Sequence, residues 1–593
     1  MAAETKVPAR TVRRTVQHEA ADLQRFEENR RRAPYDEWPN EAGFDGLTEE
    51  RGPIELAVQG DIPAWAAGAL YRTGPGSCKI EDTPNGTYYV SHWFDGLAHT
   101  HKFDIVAPET RAGGRTRVLY SSRRQCDELV ASIKAAGHQN RYTFGQKADP
   151  CVGLLGKFMG VFAKGTGPNI CVAVNANVPG LDNKAQGPAG PGHRNGVRSV
   201  WLSTDSNPLL EIDPDTLEPV GIAKQDKLHP DLSGPLSCAH AQRDPETGDM
   251  YNFNLAFAMA STYRRVDGQD GDPGHHLRPD AKPAYIHSFF LTKNFVVLCI
   301  PSSHLGYRGM SVPWQRNILD AIVPFDAANG CKWYFINRVH GKGVVASFET
   351  PAGFFFHTTN AFEEPSADGA ALDVVCEISG YQNLNVLYNL YYDVLLNRNG
   401  AATKFWTENE RLKNGYASLQ RYKFRLPDPS RDSAGSAAAA APAAPTAMAT
   451  TTAEPELIVS IPAPHAGELP TINPAYLTRR HRYVYSLSDR GLSTLFDTIV
   501  KTDADSREAL LWECPQAHTP GEPIFVPRPS PDGKPVAEDD GVILSVVLDG
   551  TAERSYLLCL DARTMTELGR AECDFAVGLG FHGIHAPSCP GAE

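Results

Sequence analysis

Nowhere in this chain do apolar residues run for the roughly 18 positions that a membrane-spanning helix requires, so any contact with a membrane has to be peripheral. There is no basic block, and the formal net charge is −13, which argues against nucleic acid as a partner and for ordinary solubility. The opening MAAETKVPARTVRR lacks the apolar stretch of a secretory signal, and the 12 cysteines are irregularly spaced with no CxxC pair. A reduced, cytoplasmic protein is the expectation. Neither a local metal finger nor a helix-borne HExxH pair is present, and no exact internal repeat is visible.

What is there is 593 residues, 41% of them hydrophobic, enough to bury one large core or two. Residues 1–50 are polar and charged and read as an arm, with Gln17–Arg32 as a solvated helix that Pro34 ends. From Gly52 the text changes to short β-like runs broken by Gly, Pro, Asn and Asp, beginning with Ile54–Val58 and Gly68–Gly76. Turn strings such as Ile212-Asp213-Pro214-Asp215, Arg243-Asp244-Pro245-Glu246 and Leu560-Asp561-Ala562-Arg563 carry this rhythm almost to the end. Repeated strand–turn–strand units predict a propeller or a large barrel over 51–593.

Two segments break the rhythm. Leu154, Leu155, Phe158, Met159 and Phe162 recur at helical spacing beside Lys157 and Lys164, a pattern shared by a core helix and by one lying on a bilayer. Ser433–Ala453, within a stretch at about 430–455, is nearly all Ala, Pro, Ser and Thr and reads as a flexible loop insertion, since candidate ligands lie on both sides of it.

The stretch Ala284–Pro301 holds two β-prone runs around the turn-like Leu291-Thr292-Lys293-Asn294, and places His287 among aromatic residues. A buried imidazole without a partner costs about 1–3 kcal/mol. A lone histidine of this kind is more often a hydrogen-bonded core residue than a ligand. The same grammar recurs, however, at Ser237-Cys238-Ala239-His240, at Phe355-Phe356-His357-Thr358 and at Gly580-Phe581-His582-Gly583. Four imidazoles converging from distant strands would form an all-nitrogen site suited to iron, copper, nickel or zinc. His99 with His101, and His582 with His585, are rival pairs read as structural, and His275-His276 falls in a Gly/Asp/Pro-rich loop.

Taken together, the four histidine strings resemble the carotenoid cleavage oxygenases, a family that also holds stilbene-cleaving enzymes and the vertebrate retinoid isomerase. The likeness extends to Gly74-Pro75, to His92-Trp93-Phe94-Asp95-Gly96, to His101-Lys102-Phe103-Asp104 and to Glu538-Asp539-Asp540-Gly541. It runs from about Gly52 to the C-terminus, and the lead-in Trp38-Pro39-Asn40-Glu41-Ala42-Gly43-Phe44 looks most like the fungal torulene-type oxygenases. The resemblance implies an all-β fold, a seven-bladed β-propeller with Fe(II) on its axis and a helical and loop cap over a substrate tunnel. It implies that His240, His287, His357 and His582 are the iron ligands and that acids orient three of them. Glu468 and Glu522 match two of those acids. Asp205 stands where the family commonly has glutamate, and being one methylene shorter it is expected to reach its histidine through a water or a shifted strand.

The implied reaction is addition of O2 across a conjugated C=C bond of a long apolar carotenoid or apocarotenoid, giving two carbonyl products, with no acid–base residue strictly needed. Such substrates live in membranes, and in the family the stretch after an Asp-Pro-Cys like Asp149-Pro150-Cys151 is a membrane-contacting patch, which favours the bilayer reading of Leu154–Phe162. A stilbene-cleaving enzyme would need a tyrosine and a lysine to grip a phenol, with Tyr142 and Lys147 the available pair. The same text also admits a retinoid isomerohydrolase using the same iron, and a propeller serving only as a binding scaffold.

Overall fold

The computed structural model describes residues 9–588 apart from 109–113, 140, 148–166, 182–195, 229, 231, 257–261, 267–280, 340–342, 428–453 and 531–535. Its strands fall into seven antiparallel blades of a β-propeller. Blade one joins Gly68–Ser77, Leu97–Val106 and Arg117–Arg124 to the C-terminal strand His582–Pro587. Blade two is built from Ala173–Ala176, Val200–Thr204, Ser206–Ile212 and Pro219–Lys224. Blade three holds Leu236–Ser237, Gln242–Arg243, Met250–Ala256 and Thr262–Val266. Phe290–Leu291, Phe295–Ile300, Cys331–Asn337 and Gly343–Thr350 make blade four. Blade five follows with Phe354–Pro365, Ala371–Tyr381, Ser418–Pro427 and Glu456–Pro462. Blade six carries Glu468–Thr471, Tyr483–Ser488, Thr498–Asp503 and Ala509–Glu513. His518–Pro520, Ile524–Pro527, Gly541–Asp549, Arg554–Asp561 and Glu567–Glu572 complete blade seven.

Blade four shows why these runs read as continuously apolar. Phe295–Ile300 is buried at every position. Its alternate residues face opposite sides, as a strand requires. Val296, Leu298 and Ile300 pack with Tyr251 and Phe253 of blade three, while Phe295, Val297 and Cys299 pack with Phe355 and Val374 of blade five. A strand sandwiched between two blades has no solvent face, so its pattern does not alternate. The expected turn after Leu291 is present, with Thr292 N–H donating to the Phe295 carbonyl and Leu291 paired to Val296.

The ends of the chain close the ring. His582–Pro587 pairs with Gly68–Ser77, and Ile54–Gly60 bridges blade seven and blade one through Glu567–Glu572 and Arg117–Arg124. Arg10–Arg14 adds as the outer strand of blade six against Ala509–Glu513. The helix forms over Glu19–Arg32, close to the span that the sequence predicts, yet it is not solvated all round. Phe26 and Arg30, one turn apart on a single face, are buried, as are Trp38 and Phe44 beyond it. The reason is tertiary: Arg30 lies 3.9 Å from the ring centroid of Trp406, in the helix Ala401–Thr407 that blade five sends out.

That excursion, between Ala371–Tyr381 and Ser418–Pro427, carries the short helices Asn385–Asn389 and Tyr392–Leu395 as well and forms a cap on the propeller. The expected membrane patch Leu154, Leu155, Phe158, Met159 and Phe162, the insertion Ser433–Ala453 and the pair His275-His276 lie outside the described residues. Strands on either side of the insertion pair directly, Ser418 with Pro462 and Lys423 with Glu456. Among the described residues no helix is long and apolar enough to cross a membrane. The described cysteines are free and buried.

Candidate metal centre and active site

Each of the seven blades sends one ionisable residue from its innermost strand or strand edge to the axis. Blades one, three, four and five send His582, His240, His287 and His357. Blades two, six and seven send Asp205, Glu468 and Glu522. His582 is the first residue of its strand, and its entry depends on a tight crossing. A Cβ on Gly74 would meet the Gly580 Cα at 2.4 Å, so only glycine there lets the two backbones pass.

The four imidazoles place one nitrogen each within 4.8 Å of all the others. His240 Nε2 stands 3.1 Å from His287 Nε2, and His357 Nε2 stands 3.1 Å from His582 Nε2. The opposite nitrogens are engaged: His287 Nδ1 lies 2.7 Å from Asp205, His357 Nδ1 2.5 Å from Glu468 and His582 Nδ1 2.7 Å from Glu522. A carboxylate can only accept, so each pair sets the proton on Nδ1 and leaves Nε2 as a bare lone pair. Burial, reinforced by the neighbouring rings, pushes His240 and His582 well below the usual histidine range, so both are neutral. Between His357 and His582, both with Nδ1 turned to a carboxylate, two Nε2 lone pairs face one another at 3.1 Å and repel unless something positive lies between them. The donor set therefore fits a divalent transition metal, and the cluster could hold one.

The carboxylates are themselves held. Asp205 also accepts from the Tyr285 hydroxyl at 2.8 Å and from the Ala239 N–H at 3.0 Å. Its shorter side chain reaches His287 directly, without the water that its length alone suggests, because it sits at the tight turn between Val200–Thr204 and Ser206–Ile212. Glu522 accepts from Arg72 and from the Gly583 N–H, which offset part of the upward push of burial and favour its charged form. Among the described residues no acid supports His240.

Beside the histidines lies a cavity with an almost wholly apolar wall. Trp93 and Phe94 come from the turn after His92, Phe356 and Phe581 directly precede His357 and His582, and Leu390 comes from the cap. Four of these aromatics were within reach of the sequence because they adjoin the quoted motifs. Tyr381, Leu390 and Phe496 carry no such signal.

Other strings in the motif-bearing regions prove to be scaffolding. His92 Nε2 donates to the Leu387 carbonyl at 2.9 Å, and burial pushes its pKa down to about 3. His99 and His101 stack on each other with centroids 4.4 Å apart, His101 Nδ1 pairs with the Tyr120 hydroxyl, and His585 bonds the Ala66 carbonyl. Glu538 accepts from the Arg482 and Tyr483 N–H groups. Tyr142 is half exposed and Lys147 pairs with Asp393 at 2.7 Å, so neither reaches the cavity.

Comparison with known proteins agrees with this geometry. A carotenoid dioxygenase from Neurospora crassa is 49% identical over 98% of this chain and 96% of its own length. A torulene dioxygenase from Gibberella fujikuroi is 49% identical over 97% of this chain and 98% of its own. The mouse beta,beta-carotene 15,15'-dioxygenase is 28% identical over 91% and 90%. Among solved structures, a cobalt-substituted apocarotenoid oxygenase from Synechocystis superposes with a TM-score of 0.65 at 22% identity, covering 94% of this chain and 99% of that one, which attests the fold. Residues 43–587 match the profile of the retinal pigment epithelial membrane protein family, and with relatives at this identity over nearly the whole length, the chain belongs to that family, the carotenoid oxygenases.

Proposed function

We propose that the chain is a non-haem Fe(II) dioxygenase that cleaves a conjugated C=C bond of a carotenoid or apocarotenoid into two carbonyl products. The observation that carries this reading is the convergence of four imidazole lone pairs, three of them oriented by buried carboxylates, on the wall of an apolar cavity. The named activities of relatives 49% identical over almost the full length support the substrate class.

In this reading His240, His287, His357 and His582 hold the iron, and Asp205, Glu468 and Glu522 keep their rings turned to the axis. Ferrous iron in an all-imidazole site supplies activation of O2. Overall the double bond breaks and each of its two carbons leaves with one oxygen atom of O2, so that an alkene and dioxygen become two carbonyls with nothing left over. The protein itself binds, orients and excludes. Phe94, Phe356 and Phe581 gather at the site, with the Phe94 ring 5.1 Å from Phe581 and 5.5 Å from Phe356, and present a rigid aromatic floor for a polyene. With that wall nearly devoid of polar atoms, water has few partners and the conjugated chain is favoured.

Membrane contact belongs to the same reading. Tyr307 is 89% exposed, and Met310, Trp314 and Val323 are exposed beside it around the short helix Ser311–Gln315, a cluster suited to dip into a lipid surface.

The test is anaerobic reconstitution with Fe(II), then exposure to O2 with torulene, β-carotene, an apocarotenal and resveratrol in separate detergent assays. The expected result is a pair of carbonyl fragments from a polyene, both oxygens labelled from 18O2. Cleavage of resveratrol alone, or iron binding without O2 uptake on any substrate, overturns the proposal.

A further inference from the structure

A second cavity adjoins the apolar one: Tyr381, Val386, Leu390, Glu468 and Phe496 line both. Its far end is built by the N-terminal segment that the sequence offers as a mere arm. Arg30, from the helix Glu19–Arg32, lines it with its side chain only 4% exposed. The guanidinium lies between the Phe26 ring and the Trp406 ring, with Nη2 paired to Asp489.

The rest of the guanidinium is only loosely engaged. Arg30 Nε and Nη1 are buried without a hydrogen-bond partner, and so is Trp406 Nε1, which belongs to the same cavity wall. The Tyr35 hydroxyl stands within reach of the Arg30 guanidinium but makes no well-aligned bond to it. Among the described residues of that wall Asn389 Oδ1 is left without a partner, and Glu468, at the end nearest His357, faces the Tyr381 hydroxyl. A buried donor without a good acceptor is destabilising, and an incoming oxygen would relieve it.

We propose that Arg30 and Trp406 form a recognition subsite for a terminal carbonyl oxygen on one end of a polyene whose conjugated body lies in the cavity beside the histidines. The inference rests on the reading of the chain as a polyene-cleaving enzyme. Because Asp489 already balances the Arg30 charge, a neutral aldehyde or ketone suits the site better than a carboxylate, whose charge would face Asp489. Arginine offers its donors in a planar fork, which lysine cannot reproduce although it keeps the charge opposite Asp489.

The test uses the metal-free full-length protein, titrated with β-apo-8′-carotenal, the corresponding acid and β-carotene. The readouts are affinity and the position of the polyene absorption band, which moves to the red when a conjugated carbonyl accepts a hydrogen bond. The parent is expected to bind the aldehyde at least about tenfold more tightly than the acid or the hydrocarbon, with a red-shifted band. R30K should lose about tenfold for the aldehyde together with the shift, while β-carotene binding stays within about twofold. Equal losses for all ligands, or no loss, overturn the subsite. If R30K does not fold by circular dichroism, W406F decides, since it keeps an aromatic ring and removes one donor, and an undiminished shift in W406F is again a refutation. Selective aldehyde binding by a parent that cleaves no polyene would retain the subsite and reject the oxygenase reading. Cleavage without selectivity would do the reverse.

Discussion

Two of the buried histidine–carboxylate groups in this propeller differ in what they leave unpaired. On the axis, three rings spend Nδ1 on Asp205, Glu468 and Glu522 and leave Nε2 pointing at other Nε2 atoms. In the wall between blades five and six, His481 Nε2 meets Glu377 at 2.9 Å and Nδ1 meets the Asn360 amide at 3.1 Å, while Arg421 pairs with Glu377. Both nitrogens of His481 are consumed by the fold. The difference is in which polar atoms the surroundings satisfy: a fully paired imidazole ties strands together, and one left with a lone pair among its own kind is prepared for a cation.

Breaking one member of each group should separate these roles. His357→Ala is expected to reduce bound iron by more than about tenfold and cleavage by more than about 1000-fold, with little change in melting temperature. Metal analysis and product formation check this, and normal iron content would refute the axial site. Glu377→Gln strands the buried Arg421 guanidinium and should cost about 3–5 kcal/mol in chemical denaturation, with iron stoichiometry and kcat unchanged.

That cost should carry a pH signature. Burial by itself would raise Glu377, but Arg421 and His481 more than offset it and hold the group at about 2, below its ordinary 4.5. A depressed folded-state pKa gives stability that is fully present above 4.5 and is lost as pH falls toward 2. The gap between the parent and Glu377→Gln should therefore close across that window. A constant gap would mean that the carboxylate's charge is not what stabilises the wall.

Smaller effects sharpen the axial half of the comparison. Glu468→Gln and Asp205→Asn keep the shape and weaken the acceptor, and each should cost about 10- to 100-fold in iron affinity, read by chelator competition. If Asp205→Asn matched the parent while Glu468→Gln did not, the direct Asp205 contact to His287 would be geometrically present but functionally idle. The smallest expected change is in Trp314→Ala, about three- to tenfold weaker partitioning onto phosphatidylcholine vesicles in a flotation assay, with detergent-phase turnover intact.

What the amino-acid text determined by itself was a turn-rich β architecture, a propeller or a large barrel, and four histidine strings of one local kind; the seven blades and the axial roles came from the family resemblance that those strings carry. Short β-prone runs between Asx and Gly turns specify strand–turn–strand units because turn chemistry and strand propensity are local. The four histidine strings were legible because each sits beside small or aromatic residues at a strand edge. Phe356 and Phe581 came with them, as direct neighbours of His357 and His582. Tertiary structure alone decided the rest. Asp205 reaches His287 without a water because of where a turn in blade two falls against blade four, a relation between strands that no local pattern encodes. Helix Glu19–Arg32 looks solvated because one phenylalanine and several arginines carry no strong apolar stripe, yet Trp406, hundreds of residues away, makes Arg30 a buried wall. Leu390 and Phe496 become cavity lining only when the cap folds over the axis. Bonding preferences between neighbours in sequence are written in the chain, whereas which polar atoms remain unsatisfied is settled only when distant strands meet.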